Sequence, residues 1–236
     1  MSIAEKLTTV AANQRKVYDA GKQAEYDKFW NTFQYNGTRT KYTMYGFAGS
    51  NGGMNYATFY PKYDITPVGS AQYLFYGWVD NPVDTQPLNM RQRLEDCGVV
   101  LDVSQATNLS GLFGYGRFTE TPAIDVTGLT TASTNLFFYN KSLVTIGTIT
   151  TKESVTYSGW FGTLPALETI SFEGAIGQNI DFSSSALLTY DSIMNIIDHL
   201  ATKTSGTYTL TLGATNLAKL TDAEKAIATE KGWTLA

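Results

Sequence analysis

The chain of 236 residues reads as an α/β solenoid, sealed at its C-terminal end by helices and preceded by one long helix. Three observations carry that expectation. Large apolar residues recur at a fixed step, each unit joins a bulky half to a thin strand, and helix-capping signatures stand near both ends of the chain.

Leu112-Phe113, Leu136-Phe137 and Trp160-Phe161 are separated by 24 and 24 residues. Thr119, Leu143 and Leu167 keep that step, as do Pro122, Ile146 and Ile170, and Ile124, Thr148 and Phe172. Each unit reads as an apolar turn or helical half (TNLSGLF, STNLFFY, TYSGWF), a second anchor, and a short strand (TPAIDV, VTIGTIT, ETISFEG). A period of 24 lies in the range of leucine-rich repeats, whose single units cannot bury their apolar faces and must stack. Gln72 to Tyr76 looks like an earlier copy, followed by an insertion that holds a helix-like MRQRLEDCG. The repeats are therefore expected over residues 71–182; the alternative is chance periodicity in an all-β sandwich.

Beyond residue 182 the register fails, and residues 183–236 read as a C-terminal cap. Thr189 can cap a helix carrying Ile193, Ile196, Ile197 and Leu200 on one face. TYTLTL, residues 207–212, reads as a strand. Thr221-Asp222-Ala223-Glu224 is a capping box opening a last helix, which Lys231 and Gly232 close.

At the other end, Ser2-Ile3-Ala4-Glu5 is also a capping box, and it opens a helix expected over residues 1–33. Ile3, Leu7, Val10, Val17 and Ala24 lie on a 4-3 spacing that passes through Gln14 and Gly21. Such a helix would be about 45 Å long with a stripe one residue wide, which suits a partner helix in a coiled coil better than a core. The other possibility is that it folds back on its own domain. Residues 34–70 are rich in Tyr, Gly, Asn and Thr and read as short strands and loops. Tyr42, Tyr45, Tyr56 and Tyr60 in this segment, with Trp78, are candidate ligand-binding residues by composition, because aromatic side chains supply contact area at low entropic cost. An ordinary connecting structure is the alternative.

Charged residues are only 16% of the chain, aromatics are 13%, and the net charge is -4, so no basic field draws phosphates and no nucleic-acid partner is expected. No apolar run reaches the roughly 18 residues that cross a bilayer, and the N-terminus lacks a secretory h-region, so no membrane insertion is expected. One cysteine, Cys97, and one histidine, His199, argue against a disulfide framework and a His-rich metal centre. Asp102 with Asp125, and Glu173 with Asp181, are the carboxylate pairs available to a hydrolase, and both read more simply as solvent-facing strand positions. Gly114-Tyr115-Gly116 lacks the third glycine of a dinucleotide loop. The Asn-x-Ser/Thr triplets at Asn36, Asn108 and Asn140 arise freely in polar turns. No catalytic residue, metal or cofactor is therefore expected.

The repeats, together with ALETISFEGAIGQNIDFSSSALLTYDSIMNIIDHL (166–200) and LTLGATNLAKLTDAEKAIATEKGWTLA (210–236), resemble BspA-like leucine-rich-repeat proteins of gut Firmicutes and their bacteriophages. The resemblance covers roughly residues 70 to 236, and the N-terminal SIAEKLTTVAANQRKVYDAGKQAEYDKFWNTFQ looks like the start of phage-encoded members. The turns FFYNKSL and FGTLPAL depart from the group by lacking its frequent cysteine. The resemblance implies a non-enzymatic virion structural protein, a tail-fibre or accessory spike component assembled in the host cytoplasm and used for host attachment. It implies a homo-oligomer, with a trimer as the guess, joined to other virion proteins through the N-terminal helix. The implied ligand is a host-surface glycan or protein. A bacterial cell-surface adhesin, or a decoration protein without a host ligand, is the alternative.

Overall fold

The computed structural model describes residues 64–67, 69–76 and 87–236. In order, these form β1 (Gly69–Ser70), β2 (Leu88–Asn89), α1 (Met90–Cys97), β3 (Ala106–Asn108), β4 (Phe118–Thr121), β5 (Ile124–Asp125), β6 (Thr145–Ile146) and β7 (Ile149–Thr151). There follow β8 (Phe172–Gly174), β9 (Ile180–Asp181), α2 (Tyr190–Asp198), β10 (Tyr208–Thr211), α3 (Ala214–Leu217), α4 (Asp222–Glu230) and β11 (Trp233–Leu235). All pairings among these strands are parallel, in sheets ordered β1-β3, β2-β4-β6, β5-β7-β8 and β9-β10-β11.

The α/β solenoid of leucine-rich repeats is not what these residues form. The chain is sheet-rich, with four separate small parallel sheets, four short helices and no solenoid closure among the described residues. Two local causes account for the difference. First, the expected strand VTIGTIT is broken at Gly147, so that β6 and β7 belong to different sheets. A Cβ at Gly147 would stand 2.4 Å from the Ala123 backbone nitrogen and 2.5 Å from the Pro122 carbonyl carbon, so the chain passes this corner only without a side chain. Gly147→Ala should cost about 1–3 kcal/mol in urea unfolding, the usual penalty of forcing atoms into a filled site.

Second, the bulky halves are turns and not helices. Gly111, Asn135 and Gly159 have positive φ, as do Tyr115, Tyr139 and Thr163, and a left-handed residue at every fourth position stops helix propagation. Their backbone groups pair from coil to coil instead. Gly111 N donates to Thr134 O at 2.8 Å, Phe113 N to Leu136 O at 2.8 Å and Tyr115 N to Phe138 O at 2.7 Å. One coil further, Asn135 N donates to Ser158 O at 3.0 Å, Phe137 N to Trp160 O at 3.1 Å and Tyr139 N to Gly162 O at 2.9 Å.

This pairing places the large apolar residues of the columns read from sequence in one core, while Thr119, Pro122 and Thr148 stay half-buried. Leu112, Leu136 and Trp160 are fully buried, and so are Leu143 and Leu167. Phe113, Phe137 and Phe161 lie one over the next with ring centres 5.5 and 5.9 Å apart and planes within 15° of parallel. Phe75 extends the row at 5.5 Å from Phe113, and Phe182 closes it at 4.4 Å from Phe161. Five stacked rings therefore run along the axis of the stack, each adding aromatic pairing to its area burial. Two columns slide by one residue: Thr121, and not Pro122, stands opposite Ile146, and Ile149, and not Thr148, stands between Ile124 and Phe172.

The C-terminal region carries the expected helix signals. Thr189 accepts from Ser192 N at the start of α2, and Thr221 and Glu224 cap one another's backbone at the start of α4. Ile193, Ile196 and Ile197 of α2 are fully buried against the core, and Trp233 of β11 donates from its indole nitrogen to Ala201 O at 2.8 Å. The helix expected over residues 1–33 and the Tyr-rich segment up to residue 63 lie outside the described residues.

Candidate functional site

The surface of the stack carries a groove where successive coils turn between sheets. Its main part has a volume of about 600 Å³ and is bounded by the turn at Thr156–Gly159, the chain entering β9 at Gln178–Asp181, and the chain entering β10 at Gly206–Thr209. A smaller depression of about 390 Å³, between residues 129–133 and 152–156, meets it at Thr156.

Backbone closeness builds this surface. A Cβ at Gly177 would fall 2.3 Å from Glu153 O, so the chain entering β9 runs flush against the coil before it. Gln178 Nε2 donates to Glu153 O at 3.3 Å, and Asn179 Oδ1 accepts from Thr209 N at 2.9 Å, tying the three coils together. Tyr208 rests against Trp233 with ring centres 5.5 Å apart. Lys203 Nζ lies 4.9 Å from the centre of the Tyr208 ring and donates to Glu153 Oε2 at 3.0 Å. Tyr157 turns its ring into the core, where its hydroxyl meets that of Thr151 at 2.7 Å. Burial pushes its phenol up to about 12, so it remains a neutral hydrogen-bonding group near neutrality.

The charges that line the groove are few and opposite: Lys152 on the smaller depression and Asp181 on the larger. Asp181 is partly engaged, accepting from Ser183 N at 2.7 Å. The rest of the polar lining is hydroxyl and amide. The hydroxyls of Thr156, Ser158, Thr207 and Thr211 make no hydrogen bond within the described residues. Such an arrangement can hold a polar, uncharged ligand by hydrogen bonds.

Of the residues singled out from sequence, Asp181 lines the groove. Tyr42, Tyr45, Tyr56, Tyr60 and Trp78, and the stripe of Ile3, Leu7, Val10, Val17 and Ala24, lie outside the described residues. Asp102 and Asp125 are turn formers: each carboxylate accepts from the backbone N–H two residues on, Ser104 N at 2.9 Å and Thr127 N at 2.8 Å. Ser104, first through its hydroxyl and then through its backbone N–H, holds the Asp102 carboxyl below its ordinary value. Asp181 repeats the motif, which explains the D-x-S/T spacing without catalysis. Glu173 accepts from the Thr150 hydroxyl at 3.4 Å.

His199 ends α2 with Nδ1 at 2.8 Å from Asn195 O. Burial raises the Cys97 thiol above its ordinary value, which disfavours a reactive thiolate. Asn140 is fully buried and donates from Nδ2 to Phe113 O at 2.6 Å and to Phe137 O at 2.7 Å, so it is a core group and no glycan acceptor. Among the described residues there is no group of three or more His, Cys, Asp or Glu placed to hold a metal.

Sequence reasoning missed the groove. Its signal was present as small hydroxyl residues that recur at one corner: Thr130, Thr131 and Ser133, then Ser154, Thr156 and Ser158, then Thr207, Thr209 and Thr211. Comparison with family models, with curated proteins and with solved structures finds no match.

Proposed function

We propose that this chain is a non-enzymatic bacteriophage virion component, part of a fibre or accessory spike, that attaches to the surface of a host bacterium. The observation that carries this reading is the shallow groove crossing several coils, lined by hydroxyls and amides with two opposite charges. That surface has the chemistry of recognition. The resemblance of residues 166–200 and 210–236 to proteins of gut Firmicutes and their phages supplies the setting. Within the same proposal, Ile3, Leu7, Val10, Val17 and Ala24 join copies of the chain, and the N-terminal helix docks to other virion proteins.

The test uses the full chain, labelled fluorescently and mixed with a panel of gut Firmicutes cells, with an antibody to the chain applied to purified phage particles. The proposal expects bound label on at least some strains in flow cytometry and antibody at the fibres in electron microscopy. Absence of both signals overturns it, and label on cells with antibody on the bacterial envelope instead of on particles turns the reading to a cell-surface adhesin.

A further inference from the structure

We infer that the groove binds a neutral, linear polysaccharide laid along the stack across successive coils. This rests on the attachment reading above and names its ligand class. Four levels of chain border the continuous surface, at residues 129–133, 152–158, 178–181 and 206–209. The last three are bonded from Gln178 to Glu153 and from Thr209 to Asn179, and at the spacing of neighbouring strands they give two steps of about 4.8 Å, or about 10 Å of repeating surface. A polymer with a repeating hydroxyl pattern matches a surface that repeats its own hydroxyls at each step.

Three observations select this class over others. The exposed hydroxyls of Ser158 and Thr207, and the half-buried ones of Thr156 and Thr211, are uncommitted within the described residues and can both donate and accept. An anionic polymer would require a row of cations, whereas the lining offers Lys152 against Asp181, and the neighbouring Lys203 is already engaged by Glu153. An extended peptide would be held by pairing with a strand edge, but β10 is paired on both sides and β9 spans two residues.

The experiment applies the full chain to a printed array of neutral bacterial polysaccharides, with glycerol-phosphate teichoic acid and an unfolded neutral peptide on the same slide. Binding is expected to neutral polysaccharides, at signals insensitive to added salt because no ion pairs are involved. Ser158→Trp and Thr207→Trp, at exposed groove positions, should each weaken it by about tenfold or more. Their unfolding temperatures should stay within about 2 °C of the parent, which separates a blocked groove from a damaged fold. Signal confined to teichoic acid or peptide, no signal on any neutral polysaccharide, or unaltered binding by both variants overturns the inference. If labelled chain still binds whole cells in that case, only the ligand class falls; if cells are not bound either, the attachment reading falls with it.

Discussion

Phe137→Ala should destabilise the chain by about 3–5 kcal/mol in urea unfolding, the range for truncating a buried phenylalanine that leaves a cavity. Its ring is fully buried and lies between those of Phe113 and Phe161, at 5.5 and 5.9 Å, with the Trp160 indole at its edge. Removing it deletes the central member of the five-ring row, so two stacked pairs are lost along with the buried area. The neighbours cannot close the gap, because their backbones are held at fixed spacing by the bonds from Phe113 N to Leu136 O and from Phe137 N to Trp160 O. At this chain length the loss corresponds to a fall in melting temperature of roughly 2–4 °C for each kcal/mol. Phe182→Ala, at the end of the row, should cost less, since it removes one stacked pair. Equal losses at the two positions would mean that the rings do not act as a row.

Asn140→Asp should be comparably damaging near neutrality, for an electrostatic reason. The amide nitrogen of Asn140 satisfies two backbone carbonyls of adjacent coils, and its Oδ1 has no donor within the described residues. A carboxylate in its place loses both donated bonds and sets a buried negative charge against two carbonyl oxygens. A charge left uncompensated in this way costs about 3–5 kcal/mol.

Burial and the carbonyl dipoles raise the carboxyl of the variant above its unfolded value of about 3.9. The deficit relative to the parent is therefore smallest below that pH, grows as the pH rises towards the raised folded value, and then levels off. Urea unfolding of both proteins at pH 7 and at pH 4 measures it. A gap that stays constant between the two would show that the side chain is not enclosed by carbonyls. Asn140→Ala removes the donor without adding a charge and should lose about 1–3 kcal/mol at either pH.

The large apolar columns were legible in the sequence because a stacked core asks for similar volume at the same step in every coil. Leu112, Leu136 and Trp160, and the phenylalanines after them, met that demand and are found together. The helix caps at Thr189 and Thr221 were legible because a cap is a local contact between residues three apart. The strands were not. Whether VTIGTIT runs straight or turns a corner is decided by the approach of Pro122 and Ala123 to Gly147, which are more than twenty residues away in sequence. The α/β assignment failed for a related reason. An apolar half-turn such as STNLFFY is compatible with a helical segment until Asn135 and Tyr139 are seen in the left-handed region, a conformation that a non-glycine sequence does not announce.

The groove was hidden differently. Hydroxyl residues at a corner, such as Thr156, Ser158 and Thr207, leave no hydrophobic period. The carboxylates Asp102, Asp125 and Asp181 could have been assigned from sequence, because a serine or threonine two residues on is the mark of an Asx turn.

The stacking of turns at a 24-residue step underlies the core, the groove and the proposed mode of attachment, and paired cysteines in a Cys97→Ser background test it most directly. Ser110 and Thr134 are neighbours on successive coils, with Thr134 N donating to Ser110 Oγ at 3.1 Å, whereas Ser158 lies one coil further on, its carbonyl accepting from Asn135 N at 3.0 Å. Under mild oxidation, Ser110→Cys with Thr134→Cys should form an intrachain disulfide in nearly all molecules, seen as a mobility shift on a non-reducing gel, while Ser110→Cys with Ser158→Cys should remain reduced. Disulfide formation in the second pair and not in the first would contradict the stacked order of the coils.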